Sequence, residues 1–199
     1  MLERIVHSSE PITLVGGATV NHDLLLLAMQ HGGKAVCADG GALTVLQAGI
    51  VPEAVIGDLD SLPDDIAAQI PSERVHKVNE QDSTDFEKCL ARVEAPVIIG
   101  VGFSGGRLDH ELAALNALTR NPDQRVVLLG EVDIVFLAPP SLRIDLPTGS
   151  RISLFPMGAV EGISEGLEWS INGLNFAPDG KIGTSNRVNG EVMISVTAP

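Results

Sequence analysis

The chain has 199 residues, 44% of them apolar and 20% charged, a balance that excludes a disordered chain and fits one large domain or two modest ones. Acidic residues outnumber basic ones 26 to 13, and the net charge of −13 excludes nucleic-acid backbone binding as a main function. The same charge repels any polyanionic ligand at long range, so a site for one needs local positive charge or a bound cation. Cys37 and Cys89 are too few for a disulfide scaffold and read as buried free thiols. The first ten residues lack the apolar core and basic flank of a secretion signal, and the apolar run from Leu24 to Met29 is far short of a membrane span. The expectation is a cytoplasmic protein with neither a membrane nor a nucleic-acid partner.

Ile12-Thr13-Leu14-Val15 reads as a strand ending in Gly16-Gly17, and a helical pattern follows from Asp23 to His31. Residues 34–38 form the next strand, ending at Asp39-Gly40-Gly41, with a short helix from Leu43 to Ala48. Ala54-Val55-Ile56 leads into Gly57-Asp58, and Pro63 sits near the first turn of a helix ending at Ile70. Residues 74–78 are another strand. Thr84 and Glu87 fit a capping box, which puts Asp85 in the first turn of a helix. Residues 96–101 form a strand, 108–118 a helix, and 125–129 and 133–137 strands. Such alternation implies an α/β fold, a doubly wound, mainly parallel sheet with helices on both faces.

After Pro139-Pro140 the character changes. Residues 142–146, 151–155 and 192–196 are strand-like, glycine-rich turns separate them, and the 158–182 stretch reads as loop-rich. This describes a smaller C-terminal all-β, sandwich-like domain. The expected domains are 1–139 and 140–199. No internal repeat or low-complexity tract is present.

Three acidic segments carry the chemistry: Gly57-Asp58-Leu59-Asp60-Ser61, Asp82-Ser83-Thr84-Asp85 and Gly105-Gly106-Arg107-Leu108-Asp109-His110. Each follows an apparent strand, and the carboxyl ends of parallel strands face one ligand-binding crevice. Carboxylates gathered there repel one another unless a cation holds them, and oxygen ligands suit Mg²⁺. On an extended strand end, Asp58 and Asp60 would point the same way.

Each residue also has an ordinary reading. Asp58 and Asp60 could cap amides within a turn, Asp85 could only stabilise its helix N-terminus, and Asp82 could be a solvated loop residue. Gly105-Gly106-Arg107 opens a helix where amides and a guanidinium could meet an anion. Asp109 could cap a helix over 112–118, and His110 lacks a second histidine at ligand spacing. Asp39-Gly40-Gly41 allows close backbone approach to a ligand. Gly16-Gly17 lacks the Lys-Ser/Thr of a phosphate-binding P-loop. Trp169, the single tryptophan, reads equally as a core anchor or a ligand contact.

These segments, in this order, resemble the thiamin pyrophosphokinase family. The resemblance begins at Ala38-Asp39-Gly40-Gly41-Ala42 and continues through residues 52–61, 81–88 and 105–110 to Gly166-Leu167-Glu168-Trp169 and Thr184-Ser185-Asn186. It implies transfer of pyrophosphate from ATP to the thiamine hydroxyl, giving AMP and thiamine pyrophosphate. It also implies Mg²⁺ held by Asp58, Asp60, Asp82 and Asp85, with Asp58, Asp60, Asp85 and Arg107 as the catalytic set. ATP would meet Asp39, Gly40, Gly41, Gly105, Gly106, Arg107 and Asp109. Thiamine would meet Gln81, Trp169, Ser185 and Asn186, in a homodimer whose thiamine site is shared between subunits. No side chain stands out as a general base. A pyrophosphokinase for another alcohol, such as a pterin, and a non-catalytic nucleotide- or ligand-binding protein are the alternatives.

Overall fold

The computed structural model describes residues 3–197, so the outermost residues of both expected domains lie outside it. The chain divides into two compact units, Met1–Phe136 and Leu137–Pro199. The first contains β1 (Val6–His7), β2 (Ile12–Val15), α1 (His22–Gly32), β3 (Ala35–Ala38), α2 (Gly41–Gln47), β4 (Ala54–Gly57) and α3 (Asp64–Ala67). A 3₁₀ turn at Ser72–Arg74 precedes β5 (Val75–Lys77), α4 (Asp85–Leu90), β6 (Val93–Glu94), β7 (Ile98–Val101), α5 (Leu108–Arg120), β8 (Val126–Leu129) and β9 (Ile134–Phe136). Among the described residues, no helix is long and apolar enough to cross a membrane.

Seven strands form one sheet in the order β5-β4-β3-β2-β7-β8-β9. Every pairing is parallel except that of β8 with β9. β1 and β6 form a separate parallel pair. β2, β3, β4 and β7 are buried along their whole lengths, which is why they read as continuous apolar runs rather than alternating ones. Val15, Cys37, Val55 and Val101 join Leu25 and Ala28 of α1 and Ala42 and Val45 of α2 in one core. The alternate residues Leu14, Val36, Ile56 and Ile98 are equally buried, so both faces of the sheet are covered.

The strands advance outward from β2 to β5, and the chain then restarts on the other side of β2 with β7. The crevice at the carboxyl ends of β2 and β7 is therefore the topological switch point, where open α/β sheets take their ligands. The backbones run close there. A Cβ on Gly16 would lie 2.4 Å from the Gly102 carbonyl oxygen, and Gly102 itself adopts φ +76°.

The second unit is antiparallel: β10 (Ser141–Ile144), β11 (Arg151–Leu154), β12 (Val160–Leu167), β13 (Asn175–Phe176) and β14 (Gly183–Val196). The sheet order is β10-β14-β12-β13, with β11 also on β14. Leu167, Ile171, Phe176, Val188, Val192 and Ile194 form its core.

Four local expectations are corrected. The 158–182 stretch contains an eight-residue strand, β12, and the short β13. Gly162 and Gly166 dilute its apolar pattern, and at Gly166 (φ +73°) a Cβ would lie 2.0 Å from the Glu191 carbonyl oxygen, beside a register shift against β14. The strand expected at 192–196 is the end of the 14-residue β14, which already includes Ser185 and Asn186. Pro63 occupies the N-cap position of α3, which ends at Ala67 rather than Ile70. Finally, the N-cap of α5 is Arg107, and Asp109 lies in its first turn.

Candidate active site

The sequence places an aspartate directly after two wholly apolar strands: Asp39 after β3 and Asp58 after β4. Because β3 and β4 pair in parallel, their ends emerge side by side. Carboxylate oxygens of Asp39, Asp58 and Asp60 all lie within 4.8 Å of one another. An extended strand end does not produce this convergence. Asp58 and Asp60 flank Leu59, whose φ of +65° is uncommon for a non-glycine residue, and Asp39 has φ +39°. Three hydrogen bonds tie the turn: Asp60 N–H to Asp58 Oδ1 (3.3 Å), Ser61 N–H to Asp39 Oδ2 (3.1 Å), and Ser61 Oγ–H to Asp60 Oδ1 (3.0 Å). Capping and clustering therefore coexist in one loop.

Asp39 is the most constrained member. It is 2% exposed, and among the described residues no donor meets its buried Oδ1. Burial, with the charges of Asp85, Asp58 and Asp60 behind it, pushes its pKa up to about 6, although the Ser61 amide pulls the other way. A buried carboxylate oxygen without a hydrogen, beside two further carboxylates, is the arrangement a hard divalent cation satisfies. The donors present therefore fit Mg²⁺. They include Asp39, which the sequence reading put on the nucleotide.

Asp85 opens α4. Thr84 accepts from Glu87 N–H, and Glu87 accepts in return from Thr84 N–H, completing the expected capping box. Asp85 Oδ1 receives Lys88 Nζ at 3.0 Å, and the same ammonium reaches Asp58 Oδ2 at 3.3 Å. Gln81 Nε2 donates to Asp58 Oδ2 at 3.1 Å, and this bond is the leading cause of Asp58's lowered pKa. Gln81, expected at thiamine, thus meets a carboxylate of the cation group. Asp82 stands apart from that group. It is exposed, and its N–H donates to Glu80, which also takes the Ser83 N–H and hydroxyl and so orders the loop.

Glycines and arginine frame the rest of the crevice. Gly41 is buried, and a Cβ there would lie 2.1 Å from the Val15 carbonyl oxygen, so close packing of α2 against β2 already demands this glycine. Gly40 precedes it with room for a side chain. Gly105 adopts φ +77°, and its N–H donates to Glu111; Gly106 lies against Ala18. The Arg107 side chain is 71% exposed and forks onto Asp109, Nε to Oδ1 at 3.1 Å and Nη2 to Oδ2 at 2.6 Å. That contact lowers the Asp109 pKa. Beside Gly105 lies a cavity of about 450 Å³ lined by Phe103, Leu115, Leu128 and Val135 and by the carboxylates of Glu111, Glu131 and Asp133.

In the second unit, Trp169 is 55% exposed and so is not a core anchor. Asn186, buried, holds its backbone at both ends: Nδ2 donates to the Trp169 carbonyl at 2.6 Å, and Oδ1 accepts the Trp169 N–H at 3.1 Å. Ser185 has φ +59° and donates its N–H to Ser153 Oγ. Asn186 thus fixes the backbone of Trp169.

Lys88 and Glu80 escaped the sequence reading. The signal for Lys88 was a lysine three residues after Asp85, on a short helix whose other late residues, Cys89 and Leu90, are apolar. Glu80 gave no signal beyond its proximity to Asp82 and Ser83.

Comparison with known proteins shows the family of the chain. The family model described as thiamin pyrophosphokinase, catalytic domain, matches residues 27–128. That described as thiamin pyrophosphokinase, vitamin B1 binding domain, matches residues 141–199. Thiamine pyrophosphokinase 1 of Arabidopsis thaliana is 28% identical across 83% of this chain and 74% of its own. The structure of a thiamin pyrophosphokinase from Candida albicans superposes with a TM-score of 0.77 at 19% identity, covering 98% of this chain and 91% of that one. The yeast thiamin pyrophosphokinase structure gives 0.79 at 18% identity, covering 96% and 85%. Both structures share the fold.

Proposed function

The chain belongs to the thiamin pyrophosphokinase family, and from that premise we propose that it transfers pyrophosphate from ATP to the primary alcohol of thiamine. The hydroxyl oxygen attacks the β-phosphorus and loses its proton to water, the bond from that phosphorus to the α–β bridging oxygen breaks, and AMP leaves. The observation that carries the reading is the convergence of Asp39, Asp58 and Asp60 at adjacent parallel strand ends, in a chain whose net charge otherwise repels ATP. We assign these three as the Mg²⁺ ligands, with Asp85 beside them. Asp82 is exposed, and its N–H is turned to Glu80. When bound, Mg²⁺ supplies neutralisation of phosphate charge.

The protein's own groups do the rest. The Arg107 fork, already matched to the carboxylate of Asp109, has the geometry to exchange that partner for a phosphate and stabilise its charge. Gly105 and Gly106, with no side chains, let the phosphates approach the backbone. The cavity beside Gly105, with apolar walls and with Glu111, Glu131 and Asp133 in its lining, is the space we assign to the nucleoside, with Gly40 at the end of β3. Asp109 sets the orientation of Arg107. On the thiamine side, Trp169 presents an exposed aromatic face, and Ser185 and Asn186 hold the strand beside it. Gln81 orients Asp58 and lies close enough to the crevice to meet the incoming alcohol.

The match of the second unit to a vitamin B1 binding domain favours thiamine over a pterin as acceptor. A homodimer that shares the thiamine site between subunits is the assembly we propose. Asp60→Asn tests the core of this reading. Turnover, followed as AMP release, should fall about a hundredfold or more with circular dichroism unchanged, the loss expected when a group that stabilises transition-state charge is removed. A near-normal rate at saturating Mg²⁺ would remove Asp60 from the site.

A further inference from the structure

Lysine is almost never buried without a partner, because an unpaired ammonium in the interior is costly. Lys88 is 2% exposed. The capping box fixes the first turn of α4, and three residues beyond Asp85 the chain returns to the same side of the helix, which sets Lys88 Nζ 3.0 Å from Asp85 Oδ1. The ammonium also reaches across to Asp58 Oδ2 at 3.3 Å. Contact with two carboxylates is the setting that keeps a buried ammonium charged. One carboxylate would suffice for a structural ion pair. Lys88 instead joins Asp58, a member of the converging three, to Asp85, which is not one of them.

A fixed positive charge touching a carboxylate of a cation site repels the incoming cation and competes for the same oxygens. The phosphates of a nucleotide supply the negative charge that offsets it. We propose that Lys88 is an internal counter-cation of the carboxylate group, a positioning residue that holds Asp58 and Asp85 and weakens metal binding by the free protein, so that the divalent cation is taken up together with the nucleotide. The proposal rests on the assignment of Asp39, Asp58 and Asp60 to Mg²⁺. By linkage, metal and nucleotide then strengthen each other's binding by one common factor.

The test uses Mn²⁺ as the probe, counted by electron paramagnetic resonance of the free ion, with the full chain and with or without α,β-methylene-ATP, each titration with the analogue being read against the same analogue without protein, because its phosphates bind Mn²⁺ themselves. Lys88→Gln keeps donors for Asp58 and Asp85 without the charge, and Lys88→Met removes both. Without nucleotide, both variants should bind Mn²⁺ about tenfold tighter than the wild type, the scale of one unit charge removed at contact range. The tightening that α,β-methylene-ATP gives the wild type should shrink in both. A purely structural role predicts lowered thermal stability with Mn²⁺ affinity unchanged or weaker, and that result in folded Lys88→Gln overturns the proposal. Should neither variant fold, the wild type decides: Mn²⁺ bound as tightly without the analogue as with it also overturns it. No Mn²⁺ binding by the wild type even with the analogue would sink the metal assignment itself, and the proposal with it.

Discussion

At the scale of single residues, the crevice holds Asp39 in a state that is poor for stability and suited to binding. Its carboxylate is buried, one oxygen lacks a donor among the described residues, and its pKa is raised from 3.8 to about 6, with burial the leading cause. Between those pH values the folded chain binds more protons at this residue than the unfolded chain does. The contribution of Asp39 to the stability of the metal-free protein therefore falls as pH rises from about 4 to about 6, and the deficit persists above. Asp39→Asn removes that charge and can still accept from the Ser61 amide. We expect it to stabilise the chain in EDTA at pH 8 by on the order of 2–3 kcal/mol, to leave stability at pH 4 unchanged, and to abolish Mg²⁺-dependent turnover. Urea unfolding at the two pH values checks this. An equal effect at both would mean that charge is not the cause. Lys88 is the counterpart: a charge retained by pairing, where Asp39 is one left short of partners.

At the scale of elements, the parts that were legible in the sequence are those set by local rules. Thr84 and Glu87 form the reciprocal hydrogen bonds that their spacing announces, and the apolar runs of β2, β3, β4 and β7 are the buried centre of a parallel sheet. Legibility ended where tertiary geometry overrode pattern. Leucine does not advertise a left-handed turn, so Leu59, which brings Asp58 and Asp60 together, looked like part of an extended strand end. β12 was hidden because Gly162 and Gly166 interrupt its alternation for reasons that lie in β14. A lysine on a short helix is ordinarily taken as solvated, which hid Lys88.

β14 carries the prediction at this scale. Asn186 satisfies both backbone groups of Trp169 and accepts from Arg187 N–H, so Asn186→Ala leaves polar groups unpaired at about 1–3 kcal/mol. It should raise the thiamine KM about tenfold or more while changing the ATP KM little. Trp169→Ala, at an exposed position, should reproduce the KM effect without the loss of stability. Equal rises in both KM values for Asn186→Ala would make the residue purely structural.

At the scale of the whole molecule, the proposed function asks an acidic chain to take a polyanionic substrate, and local positive charge is what would allow it: a cation at the ends of β3 and β4, Lys88 beside it, and Arg107 at the start of α5. Each of the two units has its own core and its own match within the family. Attack at the β-phosphorus of ATP by thiamine is the centre of the proposed function. The most direct measurement is of the products formed from ATP in Mg²⁺ buffer with and without thiamine, AMP and ADP being read side by side. The account predicts AMP and thiamine pyrophosphate in equal amounts, only when thiamine is present. ADP as the thiamine-dependent product would mean transfer of the γ-phosphoryl group and would contradict it.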